Sequence, residues 1–523
     1  MSKKLASGYR LIFGYLGYFL VLIGVICILP LFMLIAYPNE VNAIWSFLIP
    51  GLASIGTGFA LSFFIFKREK CQLGKFQDSV LLVALWLLAI LVGAVPFFLR
   101  GMGTSYFGTT SVTDAIFEST SGYSSTGLTL FDFSADAPGF HIYTTYRSLL
   151  LLFGGIGLVL IVTSALSDRY GLKLYTAEGH NDKLMPNLAK SARLILAIYL
   201  GYILLGTLSY WLIGGMELFD SFNHAIAAVA TGGFSTKSGG LPDIIAAGGV
   251  NSVTGIPING VAINITSIVL MVLGATNFVL HLFLFQGKFK KIIKDCEIRF
   301  MGLMILIFVP LFVISIFTTK DSSGNQIYDF ATSFEDGAYT FFTSITTTGF
   351  STVHDIKALG ETTVILSVIV MCVGGGMGST AGAVKQYRVV VAFKSFYWSI
   401  RDHLSPRGVM YPHYVTRLGE EHDVSKSETF EAYGYTLLYV TVLLGGTVLI
   451  CIFGQGSIIA SDALFEFASA LSGTGLSVGI TGLRNVGVNW VLIGGMFAGR
   501  LEILCIYFAF YRVIRDIFRK ETV

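Results

Sequence analysis

Long apolar runs recur along the whole chain, and polar links separate them. Ten of these runs are long enough to cross a hydrocarbon core of ~30 Å, which takes ~20 helical residues. None shows the strand-length alternation of apolar and polar residues, so the pattern predicts membrane-spanning helices rather than a barrel. The predicted spans are approximately residues 11–36, 45–66, 78–99, 143–166, 194–214, 262–285, 301–319, 363–384, 432–454 and 489–511.

Four of the segments between spans share one pattern. Each begins with Asp and carries a Gly thirteen residues later, which Leu or Phe and then Ser or Thr follow. An ordinary loop with a turn glycine would explain one copy, but four copies in one register indicate an internal repeat. The four stretches are DAIFESTSGYSSTGLT (114–129), DSFNHAIAAVATGGFS (220–235), DGAYTFFTSITTTGFS (336–351) and DALFEFASALSGTGLS (462–477).

The repeated stretch predicts a short helix that enters the membrane without crossing it. A helix of two to three turns is only ~15–20 Å long, so it would end in mid-membrane, where its carbonyl end carries roughly half a negative charge. Four such ends around one axis suit a dehydrated cation. Glycines in one register would form one ring, with small Ser and Thr side chains beside them. The predicted N-caps of the four helices are Asp114, Asp220, Asp336 and Asp462.

A further set of residues, Glu118, His224 and Glu466, lies four residues after the Asp in three of the stretches. These side chains could tune the outer electric field, or they could satisfy backbone groups behind the glycine ring. The sequence leaves both roles open.

The distribution of Lys and Arg predicts the orientation. With the N-terminus inside, 28 of the 35 Lys and Arg residues fall in cytoplasmic segments, so both termini are predicted to be cytoplasmic. The cytoplasmic segments are Lys3 to Arg10, Lys67 to Lys75, Arg169 to Arg193, Lys288 to Arg299, Lys385 to Lys426 and Arg512 to Lys520.

Composition agrees with a membrane protein. Hydrophobic residues make up 54% of the chain and charged residues 13%, whereas soluble proteins carry about 25% charged residues. The net charge of +3 is spread over many loops and gives no reason to expect nucleic acid. The six cysteines form no close pair, and no Walker loop, dinucleotide fingerprint or nucleophile elbow is present. We therefore expect neither an enzyme nor an organic cofactor.

Two features inside the spans predict a barrier. Five glycines within residues 374–382 are expected to break a helix in mid-membrane and form a flexible loop, although close helix packing is an alternative. Arg500 would lie ~15 Å from either end of the last span. An Arg at that depth costs at least ~2.5–3.5 kcal/mol, so it should face a pore or pair with carbonyls, unless it clamps two helices together. The predicted gate residues are Gly374, Gly375, Gly376, Gly378, Gly382 and Arg500.

The repeated unit of span, pore helix and span resembles the Trk/Ktr/HKT superfamily of K+ transporters from about residue 75 onward. The two extra N-terminal spans and the segments GGGMGSTAGAVKQYR (374–388) and GMFAGRLEILCI (495–506) resemble its TrkH branch. The resemblance implies an all-α integral membrane fold, with four tandem span–pore-helix–span repeats around a central pore and two N-terminal transmembrane helices before them. It also implies K+ uptake through a channel-like pore.

The resemblance further implies a selectivity filter, in which each loop contributes backbone carbonyls around its Gly to bind K+. Gly in all four loops accompanies K+ preference in this superfamily, so Gly127 favours K+ over Na+. Residues 374–382 match the family's gating loop, and Arg500 matches its pore-facing Arg. The implied filter residues are Ser125, Thr126, Gly127, Thr231, Gly232, Gly233, Thr347, Thr348, Gly349, Gly473, Thr474 and Gly475.

The implied organisation is a two-helix pre-domain followed by four repeats. The predicted boundaries are 1–75 for the pre-domain and 76–190, 191–296, 297–425 (with the gating loop 374–382) and 426–523 for the repeats.

The resemblance implies a homodimer docked on a cytoplasmic ring of TrkA-like nucleotide-binding regulatory subunits that pull on the gate. The basic inner face, which includes the link at about 385–430, could instead be attracted to anionic membrane lipid. This alternative stays open. The expected location is the cytoplasmic membrane of a bacterium or archaeon.

Two rival functions remain to be weighed. A secondary transporter of small solutes would use helices broken near the midplane, but it predicts inverted halves rather than four parallel repeats. A structural membrane subunit would leave Arg500 and the four filter-like loops unexplained.

Overall fold

The computed structural model describes residues 9–66, 77–101, 111–131, 139–158, 188–320, 325–406 and 411–519. Six helices in these ranges are long and apolar enough to cross a membrane, or eight if each of two bent helix pairs counts as one span. Several predictions lie wholly or partly outside the described residues: the boundary at 75/76, the end of the span 143–166, and the basic segments Lys3 to Arg10, Lys67 to Lys75, Arg169 to Arg193, Lys385 to Lys426 and Arg512 to Lys520.

Two antiparallel helices precede the repeated part of the chain, α1 (Tyr9–Ile28) and α2 (Ile44–Phe66). Their backbones approach closely because glycines face each other in two layers. A Cβ built on Gly58 would lie 2.6 Å from the carbonyl oxygen of Gly17, and one built on Gly24 would lie 2.6 Å from that of Gly51. Small residues at such positions let helices pack closely in membranes.

Four helical units follow, each with a shorter helix after its first long helix. The first contains α3 (Gln77–Gly101), α4 (Val112–Tyr123) and α5 (Phe140–Ile156). The second contains α6 (Leu188–Leu212), α7 (Leu218–Val229), α8 (Leu241–Ala247), α9 (Gly260–Ala275) and α10 (Phe278–Phe285), and α11 (Phe289–Lys294) links it to the third. The third contains α12 (Cys296–Phe317), α13 (Phe330–Ile345), α14 (Glu361–Val373) and α15 (Gln386–Leu404). The fourth contains α16 (Lys426–Phe453), α17 (Ala460–Ser472), α18 (Val486–Arg500) and α19 (Ile503–Arg519).

The short helices α4, α7, α13 and α17 lie inside the protein. They pack against α3, α6, α12 and α16 of their own units. Polar residues on them are buried, and Glu118, His224 and Glu466 have no exposed surface. Because the long helices carry the lipid-facing apolar surface, these short helices can carry polar groups in the centre of the protein.

The prediction that four Asp residues cap the short helices is wrong. Ser111 caps α4 by accepting a hydrogen bond from the Asp114 N–H (3.1 Å). Asp329 caps α13 by accepting one from the Thr332 N–H (3.2 Å). All four helices begin before the repeated Asp. Upstream residues supply a side-chain cap for α4 and α13, whereas the residues that precede α7 and α17 form no side-chain cap hydrogen bond. Asp114, Asp220 and Asp462 lie in the first turn, where a carboxylate still stabilises the positive end of a helix, and Asp336 lies within α13.

Helix breaks interrupt three of the predicted spans. The break at residues 374–385 between α14 and α15 was predicted, and the structure confirms it. The chain also bends by 110° between α9 and α10 and by 98° between α18 and α19, which was not predicted. Arg500 is therefore the last residue of α18, and its predicted position at the centre of a straight span is wrong.

Besides the helices, the described residues include a small β-hairpin. Strands β1 (Tyr414–Arg417) and β2 (Glu420–Asp423) pair antiparallel, with Tyr414 opposite Asp423. The Asp295 carboxylate accepts hydrogen bonds from the N–H groups of Leu418 (2.8 Å) and Glu297 (2.9 Å). Burial raises the pKa of Asp295, and these hydrogen bonds oppose that rise. The hairpin is thereby attached to the start of α12.

We predict that Gly58→Ala destabilises the protein and that Gly56→Ala does not. A Cβ at residue 58 would overlap the backbone of α1, and such overpacking costs about 1–3 kcal/mol. A Cβ on Gly56, on the same helix, meets no atom within 4 Å. The midpoint of thermal unfolding in detergent should fall for Gly58→Ala alone. Equal midpoints for the two variants would show that the glycine contact does not hold α1 and α2 together.

Candidate functional site

The loops after the four short helices meet in a closed ring. Each loop places its Gly so close to a carbonyl oxygen of the next loop that a Cβ would overlap that oxygen. The order runs from the first unit to the fourth and returns to the first, so the four predicted glycines do lie in one ring. The contacting pairs are Gly127 with Gly232, Gly233 with Thr348, Gly349 with Thr474, and Gly475 with Thr126.

All four loops share one backbone conformation. In the first loop, the N–H of Ser125 bonds to the Gly122 carbonyl (3.1 Å) and the N–H of Thr126 bonds to the Ser121 carbonyl (2.9 Å). This is a Schellman ending, which satisfies the last carbonyls of a helix. The other three short helices end with the same pair of hydrogen bonds. The helix ends therefore set the direction of each loop as it enters the ring.

The Schellman ending requires one residue with left-handed backbone angles, that is, a positive φ. Only one of the four loops has glycine at this position. Ser125, Thr231 and Thr347 have φ of 55°, 50° and 53°, whereas the fourth loop has Gly473. A left-handed residue that is not glycine costs of order 1–3 kcal/mol, and β-branched Thr is an outlier there. Such strain persists where the surroundings leave the backbone no alternative, and it is concentrated at functional sites.

Pairs of hydroxyls brace three of the loops from behind. The distances between the two oxygens are 2.7 Å for Ser124 and Thr126, 2.9 Å for Thr346 and Thr348, and 2.6 Å for Ser472 and Thr474. In the second loop Ala230 and Gly232 occupy these positions, so no hydroxyl pair can form there. The hydroxyls of Thr126, Thr348 and Thr474 thus hydrogen-bond within their own loops.

A cavity of about 210 Å³ opens above the ring. The four ring glycines line it, together with Thr129, Ser235, Ser351 and Ser477 from the segments that leave the ring. The ring is therefore the floor of a small vestibule with polar walls.

Buried charged groups hold the segments that leave the ring. Glu118 forms an ion pair with Arg147, with 2.8 Å between Oε1 and Nε, and it accepts hydrogen bonds from Thr129 Oγ1 (3.0 Å) and the Leu130 N–H (3.3 Å). Arg147 in turn lies 4.0 Å from the ring centroid of Phe234 in the second unit. Sequence reasoning missed this arginine, because its partner is distant in the chain.

In the second and fourth units the equivalent positions, His224 and Glu466, do the same, and in the third unit the repeated Asp336 takes this role. Glu466 accepts hydrogen bonds from the N–H groups of Val478 (3.0 Å) and Thr481 (3.2 Å). His224 Nε2 lies 3.0 Å from Ser235 Oγ. In the third unit, Thr352 Oγ1 donates to the Asp336 carboxylate at 2.6 Å. Of the two roles left open by the sequence, these contacts favour the support of backbone and hydroxyl groups behind the ring.

The glycine-rich segment 374–385 lies against the other side of the ring. Thr380 Oγ1 is 3.1 Å from Thr231 Oγ1, and the Gly382 N–H donates to Thr347 Oγ1 at 2.9 Å. A Cβ on Gly382 would overlap the Ser472 carbonyl oxygen. The segment thus touches the ring-forming loops of the second and third units and the end of α17 in the fourth.

Arg500 joins the first unit to this glycine-rich segment. Its guanidinium donates to the carbonyls of Gly154, Gly155 (3.1 Å) and Thr380 (3.4 Å). The two glycines end α5, where the negative end of the helix favours a cation. The predicted pairing of Arg500 with carbonyls is confirmed, and the side chain both clamps two units and contacts the loop.

A second ion pair lies just below. Arg388, on α15, is 2.8 Å from Glu502, which occupies the bend between α18 and α19. The Arg388 guanidinium also lies 4.1 Å from the ring centroid of Tyr435. The helix that follows the glycine-rich segment is therefore tied to the bend that positions Arg500.

The chemistry at the ring is that of neutral oxygen atoms. Among the described residues, no group of three or more His, Cys, Asp or Glu side chains could hold a metal ion. The groups that converge on the ring are backbone carbonyls and the negative ends of four helices. Such dipoles suit a dehydrated monovalent cation better than a divalent ion, which favours carboxylates.

Comparison with known proteins finds a matching family and several relatives. The family model TrkH, a cation transport protein, matches residues 59–516. A cation transporter of Methanocaldococcus jannaschii is 27% identical over 509 residues, which cover 96% of this chain and 95% of the relative. The Trk system potassium uptake protein TrkH of Escherichia coli is 26% identical over 500 residues, which cover 88% of this chain and 94% of the relative.

A solved structure has the same fold. The crystal structure of the potassium transporter TrkH from Vibrio parahaemolyticus aligns with a TM-score of 0.76 at 23% identity. The alignment covers 95% of this chain and 97% of that one. The overall fold of this chain is therefore found in a second protein of distant sequence.

Proposed function

The chain belongs to the TrkH family of cation transport proteins, and on that premise we propose that it takes up K+ through a channel-like pore between its four units. The observation that carries the proposal is the closed ring, in which each loop glycine abuts a carbonyl of the next loop. A ring of carbonyls can replace the hydration shell of K+. Relatives in Escherichia coli and Salmonella typhimurium are named for potassium uptake. On this proposal the protein is a transporter and not an enzyme.

The proposed selectivity filter consists of the three loop residues of each unit, from Ser125–Gly127 to Gly473–Gly475. Their carbonyls would bind the ion, while the Schellman endings and hydroxyl pairs hold the carbonyls in place. Side chains at the four glycine positions could not bind the ion instead, because a Cβ there would overlap a carbonyl oxygen of the next loop.

The proposed gate is the segment 374–382 together with Arg500. The segment lies under the ring and is held there by Thr231, Thr347 and the Arg500 guanidinium. Conduction requires this segment to move, since it contacts the filter loops from below. Because Arg500 binds both α5 and the segment, its loss would release the segment from the first unit.

We predict that Gly349→Ser lowers the ratio of K+ to Na+ flux at least about ten-fold, which corresponds to 1.4 kcal/mol of discrimination, or abolishes flux. The new Cβ would overlap the Thr474 carbonyl, and φ of 93° disfavours any side chain. The matched control is Gly482→Ser, since a Cβ there meets no atom within 4 Å. Fluxes of the two ions into proteoliposomes measure the ratio. Normal selectivity with Ser at each of the four ring positions would overturn the filter proposal.

We predict that Arg500→Ala raises K+ flux about ten-fold or more. The closed segment would lose a charged hydrogen bond, and such bonds contribute roughly 1.5–3 kcal/mol. Arg515→Ala removes a positive charge from α19 without touching the segment and should leave flux unchanged. A variant shortened within 374–382 tests the segment directly. If both gate variants insert normally and conduct like the native protein, the gate lies elsewhere.

The proposed assembly is a homodimer with TrkA-like cytoplasmic nucleotide-binding regulatory subunits, in the cytoplasmic membrane of a bacterium or archaeon. Both termini would face the cytoplasm. The support is the basic link of about 385–430, which begins at the proposed gate and carries α15 and the hairpin. Arg388 ties α15 to the bend beside Arg500, so a force on the link would reach the gate.

We predict that added nucleotide changes K+ flux only when the cytosolic subunit is present. Gentle extraction should yield a complex containing two copies of the 56.8 kDa chain, with the subunit bound. Flux is then measured in proteoliposomes with and without the subunit, over a range of nucleotide concentrations. Nucleotide-sensitive flux from the chain alone, or extraction without any cytosolic subunit, would contradict the proposed partner.

A further inference from the structure

An apolar groove and a basic pocket adjoin at the end of the third unit that the positive-inside rule places in the cytoplasm. The groove has a volume of about 650 Å³ and lies among α12, α14 and α15. Its lining includes Leu303, Met304, Ile307, Phe308 and Ile369. Leu303 and Ile307 are half-exposed, at 50% and 46%, so the groove is open along its length.

The pocket has a volume of about 620 Å³ and lies between α15 and the hairpin. It shares Lys294, Arg299, Lys394 and Thr416 with the groove, so the two form one continuous space. Its outer wall includes Trp398. The space is thus amphipathic, with an apolar end and a cationic end.

Three of the cationic groups are available for a ligand. Lys294, Arg299 and Lys394 are exposed, and none forms an ion pair with another described residue. Arg299 uses its Nε to donate to the Ile293 carbonyl (3.1 Å), which leaves its terminal nitrogens free to bind an anion. Glu421 is the acidic residue in the pocket lining. The balance of charge therefore favours an anion.

The order of these residues along α12 matches the depth profile of a membrane. Lys294 lies two residues before the helix and Arg299 in its first turn, and Phe308 lies ~14 Å beyond Arg299 along the helix at 1.5 Å per residue. A cation at the interface with apolar residues below it is the environment of a phospholipid headgroup and its acyl chain.

We propose that this space is a binding site for one anionic phospholipid. Its phosphate would lie among Lys294, Arg299 and Lys394, and an acyl chain would fill the groove. A second copy of the chain would bury these three cations, which is costly unless each gains an acidic partner. The site reaches the proposed gate, because Val373 and Val389, on either side of residues 374–385, line the groove.

The test compares two triple variants of the full chain in nanodiscs of phosphatidylcholine with a minor fraction of phosphatidylglycerol. Lys294→Gln, Arg299→Gln and Lys394→Gln together remove the site's charges. Lys288→Gln, Lys290→Gln and Lys426→Gln remove three exposed charges elsewhere on the same side. Native mass spectrometry counts the phosphatidylglycerol retained. We expect the site variant to lose affinity roughly five-fold per charge, equivalent to about 1 kcal/mol for each Lys or Arg, and the control to retain it.

A third variant, Ile307→Trp, fills the groove and leaves the charges intact. It should also lower retention, which a purely electrostatic attraction to the surface would not explain. Equal retention by both triple variants, or equal retention of both lipids, would overturn the proposal. Loss of dimer in the site variant with unchanged lipid binding would assign the surface to a second copy instead. The readout is bound lipid, so its result is independent of whether K+ is transported.

Discussion

The contact between a glycine of one loop and a carbonyl of the next is the constraint on which the rest of the structure depends. Each of the four contacts excludes a Cβ, and together they close a ring that needs all four units. A unit displaced by the width of a methyl group would open the ring. The long helices, the polar short helices and the buried ion pair therefore all serve to hold four chain segments at one fixed separation.

The four units reach this shared geometry with different side chains. Different residues hold the segment that leaves the ring in each unit. They are Glu118 with Arg147 in the first unit, His224 in the second, Asp336 in the third and Glu466 in the fourth. The left-handed position is glycine in only one unit. What repeats is the backbone, because carbonyls perform the proposed chemistry and the side chains only need to support them.

This division explains how much the sequence could predict. The Asp-to-Gly register identified the four loops, and the glycines at 374–382 identified a helix break. The bends after Ala275 and Arg500 escaped prediction because each break is only two residues long, Thr276–Asn277 and Leu501–Glu502, and apolar helices flank it on both sides. The true helix caps, Ser111 and Asp329, lie outside the repeated stretch. Pairs such as Arg388 with Glu502 join distant residues, and no local pattern indicates them.

The breaks below the ring also account for the form of the proposed gate. A helix that ends inside a membrane leaves carbonyls that need partners. The Gly376 N–H donates to the Ala275 carbonyl (2.9 Å), the Thr380 N–H to Gly274 (3.2 Å), and Arg500 to Gly155 (3.1 Å). The segment and the guanidinium thus satisfy carbonyls at the ends of helices that stop below the ring. In the proposed gate, moving them aside would free those carbonyls, so opening the barrier and creating an attractive lining for K+ would be one event.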